Sequence, residues 1–303
     1  MMQKYRLDKA GYINKDKKIS FKFNGKKYFG YEGDTLASAL LANGIHLVGR
    51  SFKYHRPRGF IGAGVEEPNA QVQLYSGSKT EPNAIATTVE LVEGLEAKSQ
   101  NCWPSVSFDF GAINNILSKF FPAGFYYKTF MWPKSFWYKV YEPIIRKAAG
   151  LGVAPLKPDP DRYDHKYEYC DILVAGSGPS GLASALSAAK NGAKVILAED
   201  KALFGGSLLT DEVTIGNKKG KDWADETIAE LKTMPNVIVK NRSQVFGYYD
   251  HNMMVMIERT KDHIENTKKF LPRQRLWYIR AKEVIVSTGS IERPLVFGNN
   301  DRP

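Results

Sequence analysis

The sequence predicts an α/β chain in two parts, a small β-grasp domain followed by an open sheet wound on parallel strands. Two stretches carry the prediction. Ile19-Ser20-Phe21-Lys22-Phe23 alternates apolar and polar residues, Asn24-Gly25 follows, and Lys26 to Tyr31 makes a return strand. Asn-Gly between two such runs is a strong hairpin signal. Further on, Asp171-Ile172-Leu173-Val174-Ala175 leads into Gly176-Ser177-Gly178-Pro179-Ser180-Gly181. A helical segment from Leu182 to Lys190 then stops at Asn191-Gly192, and Val195-Ile196-Leu197-Ala198 ends on Glu199-Asp200. Strand, glycine turn, helix and second strand within about 30 residues is the size of a βαβ unit.

The length of 303 residues suits two domains. With 43% hydrophobic and 25% charged residues the composition is that of an ordinary soluble protein. A net charge of +11 raises the question of nucleic acid. The basic residues are spread along the chain, however, so an anionic nucleotide or an acidic partner is the milder reading. Cys102 and Cys170 are far apart and form no metal-ligand spacing, which predicts free thiols in a reducing, cytoplasmic setting. No apolar h-region opens the chain and no run reaches the roughly 18 apolar residues of a membrane span.

Residues 1–18 are polar and basic and read as a loose arm. Residues 19–100 read as the β-grasp domain. Asp34 is the expected N-cap of a helix from Thr35 to Ala42, which stops at Asn43-Gly44. A hairpin followed by a helix across it opens the β-grasp fold of ubiquitin and the plant-type ferredoxins. Arg50-Ser51-Phe52-Lys53-Tyr54-His55-Arg56-Pro57-Arg58-Gly59 is a basic loop. It reads as a solvated turn; its interleaved aromatics weakly suggest RNA, without any repeated basic-aromatic pattern. In a ferredoxin this region carries the C-x4-C-x2-C ligands of a 2Fe–2S cluster. No cysteine precedes Cys102, so a ferredoxin-like domain here is expected to lack the cluster and to hold no metal. Glu67-Pro68-Asn69-Ala70 and the alternating Gln71-Val72-Gln73-Leu74 close the domain, with Thr87 to Leu91 as its expected last strand.

Residues 101–166 form an aromatic-rich stretch. About half of Phe120 to Tyr141 is aromatic, interrupted by Pro122 and Pro133, with Pro143 just beyond. One reading is a connector packed on its own chain. The other is a docking surface for another subunit, since aromatics are enriched in interface cores. Ala154 to Pro160 reads as an extended link.

Residues 167–303 read as a Rossmann-type dinucleotide-binding domain, incomplete at its C-terminus. Each candidate site residue has a physical reason. Gly176 permits the tight turn, Gly178 lets backbone approach a pyrophosphate, and Gly181 lets the helix pack close on the strand. Pro179 and Ser180 open the helix whose N-terminal dipole favours negative charge. Glu199 falls 18 residues after Gly181, where a carboxylate can accept both ribose hydroxyl protons. Asp200 and Lys201 continue that strand end, and Gly206 and Ser207, after Gly205, allow another close approach. Val284 to Ser287 is a returning strand, and Thr288-Gly289 after it is where such domains touch the dinucleotide again. The competing reading is an αβ connection without ligand. Asp222 to Thr233 is a plausible helix and Val237 to Val239 a third parallel strand; Val245 to Tyr249, Met253 to Ile257 and Leu276 to Ile279 alternate like a meander. The five histidines show no ligand spacing, and no serine or cysteine sits in a nucleophile motif, so no catalytic side chain is expected.

The set Arg50 to Gly59, Glu67 to Ala70, Phe125 to Pro133, and Glu199-Asp200-Lys201 leading to Gly205-Gly206 resembles the α subunits of heterotetrameric sarcosine oxidases. The resemblance runs from about Leu7 to the last residue. It implies a β-grasp domain without its cluster and a dinucleotide fold that holds NAD. It further implies FAD on a β subunit, FMN between α and β, and smaller subunits completing a heterotetramer. The complex it implies oxidises sarcosine, a small amine, to glycine with hydrogen peroxide, passing a one-carbon unit to tetrahydrofolate. Such α subunits are much longer, so the chain is expected to be an N-terminal portion, inactive alone. Two other readings stay open: an independent flavoprotein using FAD at the same site, of the amine-dehydrogenase or pyridine-nucleotide-disulfide type, and a non-catalytic scaffold.

Overall fold

The computed structural model describes residues 3–8, 11–120, 124, 130–264, 270–291 and 293–300. The chain divides into two compact units, one formed by Met1–Leu7, Lys15–Pro160 and Ile291–Pro303, the other by Asp8–Asn14 and Asp161–Ser290.

The first unit is built on strands β1 (Asn14–Phe23), β2 (Lys26–Glu32), β5 (Gln71–Leu74), β6 (Glu81–Ile85) and β7 (Glu96–Ser99). They form one sheet in the order β2-β1-β7-β5-β6. Asn24 and Gly25 both take positive φ, 50° and 77°, as the tight hairpin between β1 and β2 requires. Ile19, Phe21 and Phe23 alternate into the core, where Leu36, Ala39 and Leu40 of helix α1 (Leu36–Ala42) cover them. The short strands β3 (Gly49–Arg50) and β4 (Pro57–Arg58) pair antiparallel and turn the basic loop into a hairpin.

Three expectations for this unit are corrected. Strand β1 begins at Asn14, inside the stretch read as an arm, and Arg6 is tied down by a 2.6 Å ion pair to buried Asp34. The N-cap of α1 is Thr35, not Asp34. Thr35 and Ser38 exchange backbone-to-side-chain hydrogen bonds in a capping box, while the Asp34 carboxylate is engaged by Arg6, Tyr31 N–H and the Ser38 hydroxyl. The last strand is Glu96–Ser99, not Thr87 to Leu91. The latter segment gives Val89 C=O to Leu36 N–H and takes Asp34 C=O at Leu91 N–H, so its backbone is satisfied by the entry to α1.

In the aromatic stretch the described part forms short helical turns: α2 (Ile113–Ile116), a 3-10 turn Lys134–Phe136, a π turn Trp137–Tyr141, and α3 (Glu142–Ala148). Phe121, Phe125, Tyr126 and Tyr127 lie outside the described residues, as does most of the Phe125 to Pro133 run.

The second unit is a six-stranded sheet, β12-β9-β8-β15-β14-β13, built from β8 (Tyr163–Ala175), β9 (Val195–Ala198), β12 (Val237–Lys240), β13 (Ser243–Tyr249), β14 (Met253–Arg259) and β15 (Gln274–Val286), with a separate antiparallel pair of β10 (Thr214–Ile215) and β11 (Lys218–Lys219). Its left half is parallel, with β9 between β12 and β8 and with β15 running alongside β8. Helices α4 (Pro179–Lys190) and α5 (Gly220–Thr233) cover one face, where Leu182, Ala185 and Ala189 of α4 pack on Val174, Val195 and Leu197. The opposite face is closed by Met254, Met256, Trp277 and Ile279. Leu276 to Ile279 and Val284 to Val286 are not two strands but the ends of one, because β15 stays in register with β8 from Gln274 to Val286. Among the described residues no helix is long and apolar enough to cross a membrane.

Candidate dinucleotide site

The strand order reverses direction at β8: β9 leaves to one side and β15 lies on the other. Open α/β sheets bind ligands at the carboxyl ends of strands at such a switch point. There β8 ends at Ala175, and the chain turns at Gly176, whose φ is +102°. Gly176 N–H is held by Ala198 C=O at 2.8 Å, and Ala175 C=O takes Ser287 N–H at 2.8 Å, so the turn is fastened to both neighbouring strands.

The three motif glycines do different work. A Cβ on Gly176 would lie 2.3 Å from the Ser287 carbonyl oxygen, and one on Gly181 would lie 2.0 Å from the Gly176 carbonyl oxygen. Both positions are closed by backbone, which fixes how near α4 approaches β8 and β15. Gly178 is the opposite case: nothing lies within 4 Å of where its Cβ would be. It caps α4 in an extended conformation with no side-chain cap, and Pro179 at the first helical position withholds no N–H that the helix needs. The first N–H groups of α4 have no acceptor within the helix, and its dipole stands behind the open hollow at Gly178. This hollow is the feature that fits a pyrophosphate.

Glu199 closes the site from β9. It is 5% exposed. One carboxylate oxygen, Oε2, accepts the Ser177 N–H at 3.0 Å and the Ser177 hydroxyl at 2.5 Å; Oε1 accepts Lys201 N–H at 3.0 Å. Three of the roughly four acceptor positions of a carboxylate are thus used within the protein. The Asp200 side chain bonds the same carboxylate as well. Burial pushes the Glu199 carboxyl above its ordinary range, neighbouring Asp200 adds to this, and the Ser177 and Lys201 bonds oppose it.

The other expected residues are brought to the same edge. Gly205 N–H donates to the Ser177 carbonyl at 3.1 Å. Gly206, at φ +55°, comes so near that a Cβ on it would lie 2.8 Å from the Gly178 Cα. Thr288 follows β15, and its nitrogen would lie 3.3 Å from a Cβ on Gly176. Gly289 is exposed at φ +73°, and Ser207 and Lys201 are exposed beside the loop. Asp200 is half-buried and its carbonyl accepts from Arg259 at 2.6 Å. Ser177 is the residue that sequence reasoning missed. It ties Glu199 and the Gly205 turn together, yet it occupies the unconstrained position between the motif glycines, where the pattern accepts any residue. Among the described residues no group of three or more His, Cys, Asp or Glu is placed to hold a metal.

Two families match. Residues 16–102 match the 2Fe-2S iron-sulfur cluster binding domain, and residues 171–257 match the FAD dependent oxidoreductase family. The first description implies a cluster, but between residues 16 and 102 the only thiol is Cys102, and a 2Fe–2S centre needs about four such ligands. Burial, then the Asp109 charge, also raise the pKa of that thiol, against the pull of Arg50. The donor set does not fit. The chain is 55% identical over 302 residues to the sarcosine oxidase subunit alpha of Rhizobium meliloti (strain 1021), covering 100% of this chain and 31% of that protein. It is 34% identical over 299 residues to the corresponding subunit of Corynebacterium sp. (strain P-1), covering 97% and 26%. The chain therefore spans about a third or less of the length of these relatives. The L-proline dehydrogenase of P. horikoshii shares the fold, with a TM-score of 0.57 at 19% identity over 99% of this chain and 46% of that one. A ferredoxin-type domain followed by an FAD-oxidoreductase-type dinucleotide domain, matched over its whole length in sequence, makes this chain a homologue of the sarcosine oxidase α subunits.

Proposed function

We propose that this chain is the nucleotide-holding part of an α subunit in a cytoplasmic sarcosine-oxidising complex, and that NAD is its ligand. The observation that carries the reading is the open hollow at Gly178, lined by the first N–H groups of α4 and closed by Glu199. The pyrophosphate would rest against Gly178, Ser180 and Gly181, with Gly206 and Thr288 at its sides. Glu199, at the end of β9, would meet the ribose hydroxyls by exchanging some of its present bonds. Bound NAD would supply a hydride acceptor; the chain's own residues bind and orient it. The sarcosine oxidase names of its relatives support oxidation of sarcosine; glycine and hydrogen peroxide as products, one-carbon transfer to tetrahydrofolate, and FAD and FMN held elsewhere in the complex complete the proposal. The exposed aromatics, Trp132 at 82% and Tyr138 at 83%, suit docking of the flavin-bearing β subunit and, with the smaller subunits, a heterotetramer.

Titration of the purified chain with NAD and with NADP tests the ligand. Binding of NAD with much weaker binding of NADP is expected, because a buried carboxylate at the ribose repels a 2′-phosphate. Equal affinity would remove Glu199 from the site. The second reading, FAD in the same hollow, is favoured by the match of residues 171–257 to FAD dependent oxidoreductases. A flavin spectrum from the purified chain would establish it over NAD. Sarcosine turnover by the chain alone would refute the division of labour between subunits.

A further inference from the structure

The loop from Ile61 to Ala70 closes on two carboxylates of its own. Glu67 is 2% exposed. Its Oε2 accepts the N–H groups of Ile61 and Gly62 at 2.7 and 2.6 Å, and its Oε1 those of Asn69 and Ala70 at 2.7 and 3.2 Å. Glu66 beside it accepts Ala63 and Gly64 N–H, both at 2.8 Å. Main-chain donors from both ends of one loop thus converge on negative charge. Successive N–H groups turned to one side form the kind of concavity that binds phosphates and iron–sulfur centres.

The positions are as telling as the bonds. The x4, x2 spacing of the three loop ligands of a plant-type 2Fe–2S site, expected at the basic loop Arg50 to Gly59, fits instead the next loop, at Gly62, Glu67 and Ala70. Strand β5 pairs with β7 so that Val72 lies opposite Ser99. Cys102 follows three residues after Ser99, just past the end of the strand in that ladder. Gly62 is not in the left-handed region, and a Cβ on it would lie 3.0 Å from Glu66 Oε1 and 3.2 Å from Glu67 N, so a side chain there would enter the space of the carboxylates.

We propose that the Glu67 carboxylate, assisted by Glu66, is a built-in replacement for an iron–sulfur cluster. It occupies one of the four ligand positions and gathers the loop N–H groups that would otherwise face the cluster. The loop keeps its ligand geometry with Cys102 as the surviving fourth position. This stands apart from the nucleotide reading, which concerns the other unit.

Two measurements on the full chain test it. In Glu67→Gln the amides of Ile61, Gly62, Asn69 and Ala70 are expected to exchange with deuterium at least about tenfold faster, while the Leu40 amide in α1 is unchanged. Unchanged exchange at the four, or loss of protection spread evenly over the chain, would overturn the proposal. The Gly62→Cys/Glu67→Cys/Ala70→Cys chain, reconstituted without oxygen from ferric iron and sulfide, is expected to bind about two irons and two sulfides. It should lose them when Cys102→Ser is added. No iron uptake by the triple variant, folded or not, or uptake that survives Cys102→Ser, would overturn it equally.

Discussion

Ser177 gives both its backbone N–H and its hydroxyl to the same oxygen of Glu199, at 3.0 and 2.5 Å, in a site where the carboxylate is 5% exposed. Hydrogen bonds to a charged group contribute about 1.5–3 kcal/mol, and a buried acceptor loses that in full when its donor goes. Ser177→Ala should therefore lower the unfolding free energy by about 1.5–3 kcal/mol. It should also raise the Glu199 carboxyl further, since the Ser177 bond, with that from Lys201, opposes burial. Chemical denaturation reads the first effect, and an unchanged midpoint would show that the hydroxyl is idle.

Gly178→Val and Gly181→Ala should separate binding from folding. The valine meets nothing of its own chain within 4 Å but fills the hollow, so nucleotide titration should show no binding by a normally stable protein. The alanine has backbone 2.0 Å away and must force α4 off the sheet. Overpacking of this kind costs about 1–3 kcal/mol or more. A Gly178→Val chain that still binds NAD tightly would move the ligand elsewhere.

At the start of the buried half of β8, the Lys282 ammonium lies 2.8 Å from Asp171. That bond first, then the Lys194 N–H and the Tyr169 hydroxyl, hold the Asp171 carboxyl down at about 2 against an ordinary 3.8. A depressed folded value means that the stabilisation is complete above about 3.8 and fades as the pH falls through about 2. The melting temperature should fall across that window, and less steeply in Lys282→Met. Parallel pH profiles for the two proteins would remove the pair from the account.

Trp132→Ala with Tyr138→Ala should weaken assembly with the proposed β subunit by about 2 kcal/mol or more if either ring anchors the contact. Both are largely exposed in this chain, so the isolated protein should melt as before. Trp137 is half-buried and a poorer choice. Co-purification decides: undiminished assembly would make the stretch a connector that packs on its own chain.

Much of this molecule was legible because local chemistry and tertiary context agree. Asn24-Gly25 could only be a hairpin, and the glycine pattern from Gly176 to Gly181 carries its own sterics. What escaped did so for physical reasons. Glu96-Ala97-Lys98-Ser99 has no β-branched residue, and becomes a strand only because β1 and β5 offer it ladders on both sides. Tyr163 to Glu168 is mostly exposed, so no buried face marked the first half of β8; its partner is β15, more than a hundred residues away. Thr35 displaced Asp34 at the cap because Asp34 had a better use against Arg6. In the site, Ser177 and the occupied oxygens of Glu199 depend on a turn geometry that no spacing rule contains.

The long ladder between β8 and β15 has a temporal consequence. One wall of the switch point is Gly176 and the other is Ser287, which it meets directly, and only the register from Gln274 to Val286 brings them together. A chain still being synthesised carries the whole glycine signature, helix and acid long before the second wall exists. Pairing so distant in sequence is slow to form. A dinucleotide bound there as proposed would arrive last, as a latch on a completed sheet, and its uptake would mark the moment at which this half of the molecule has finished folding.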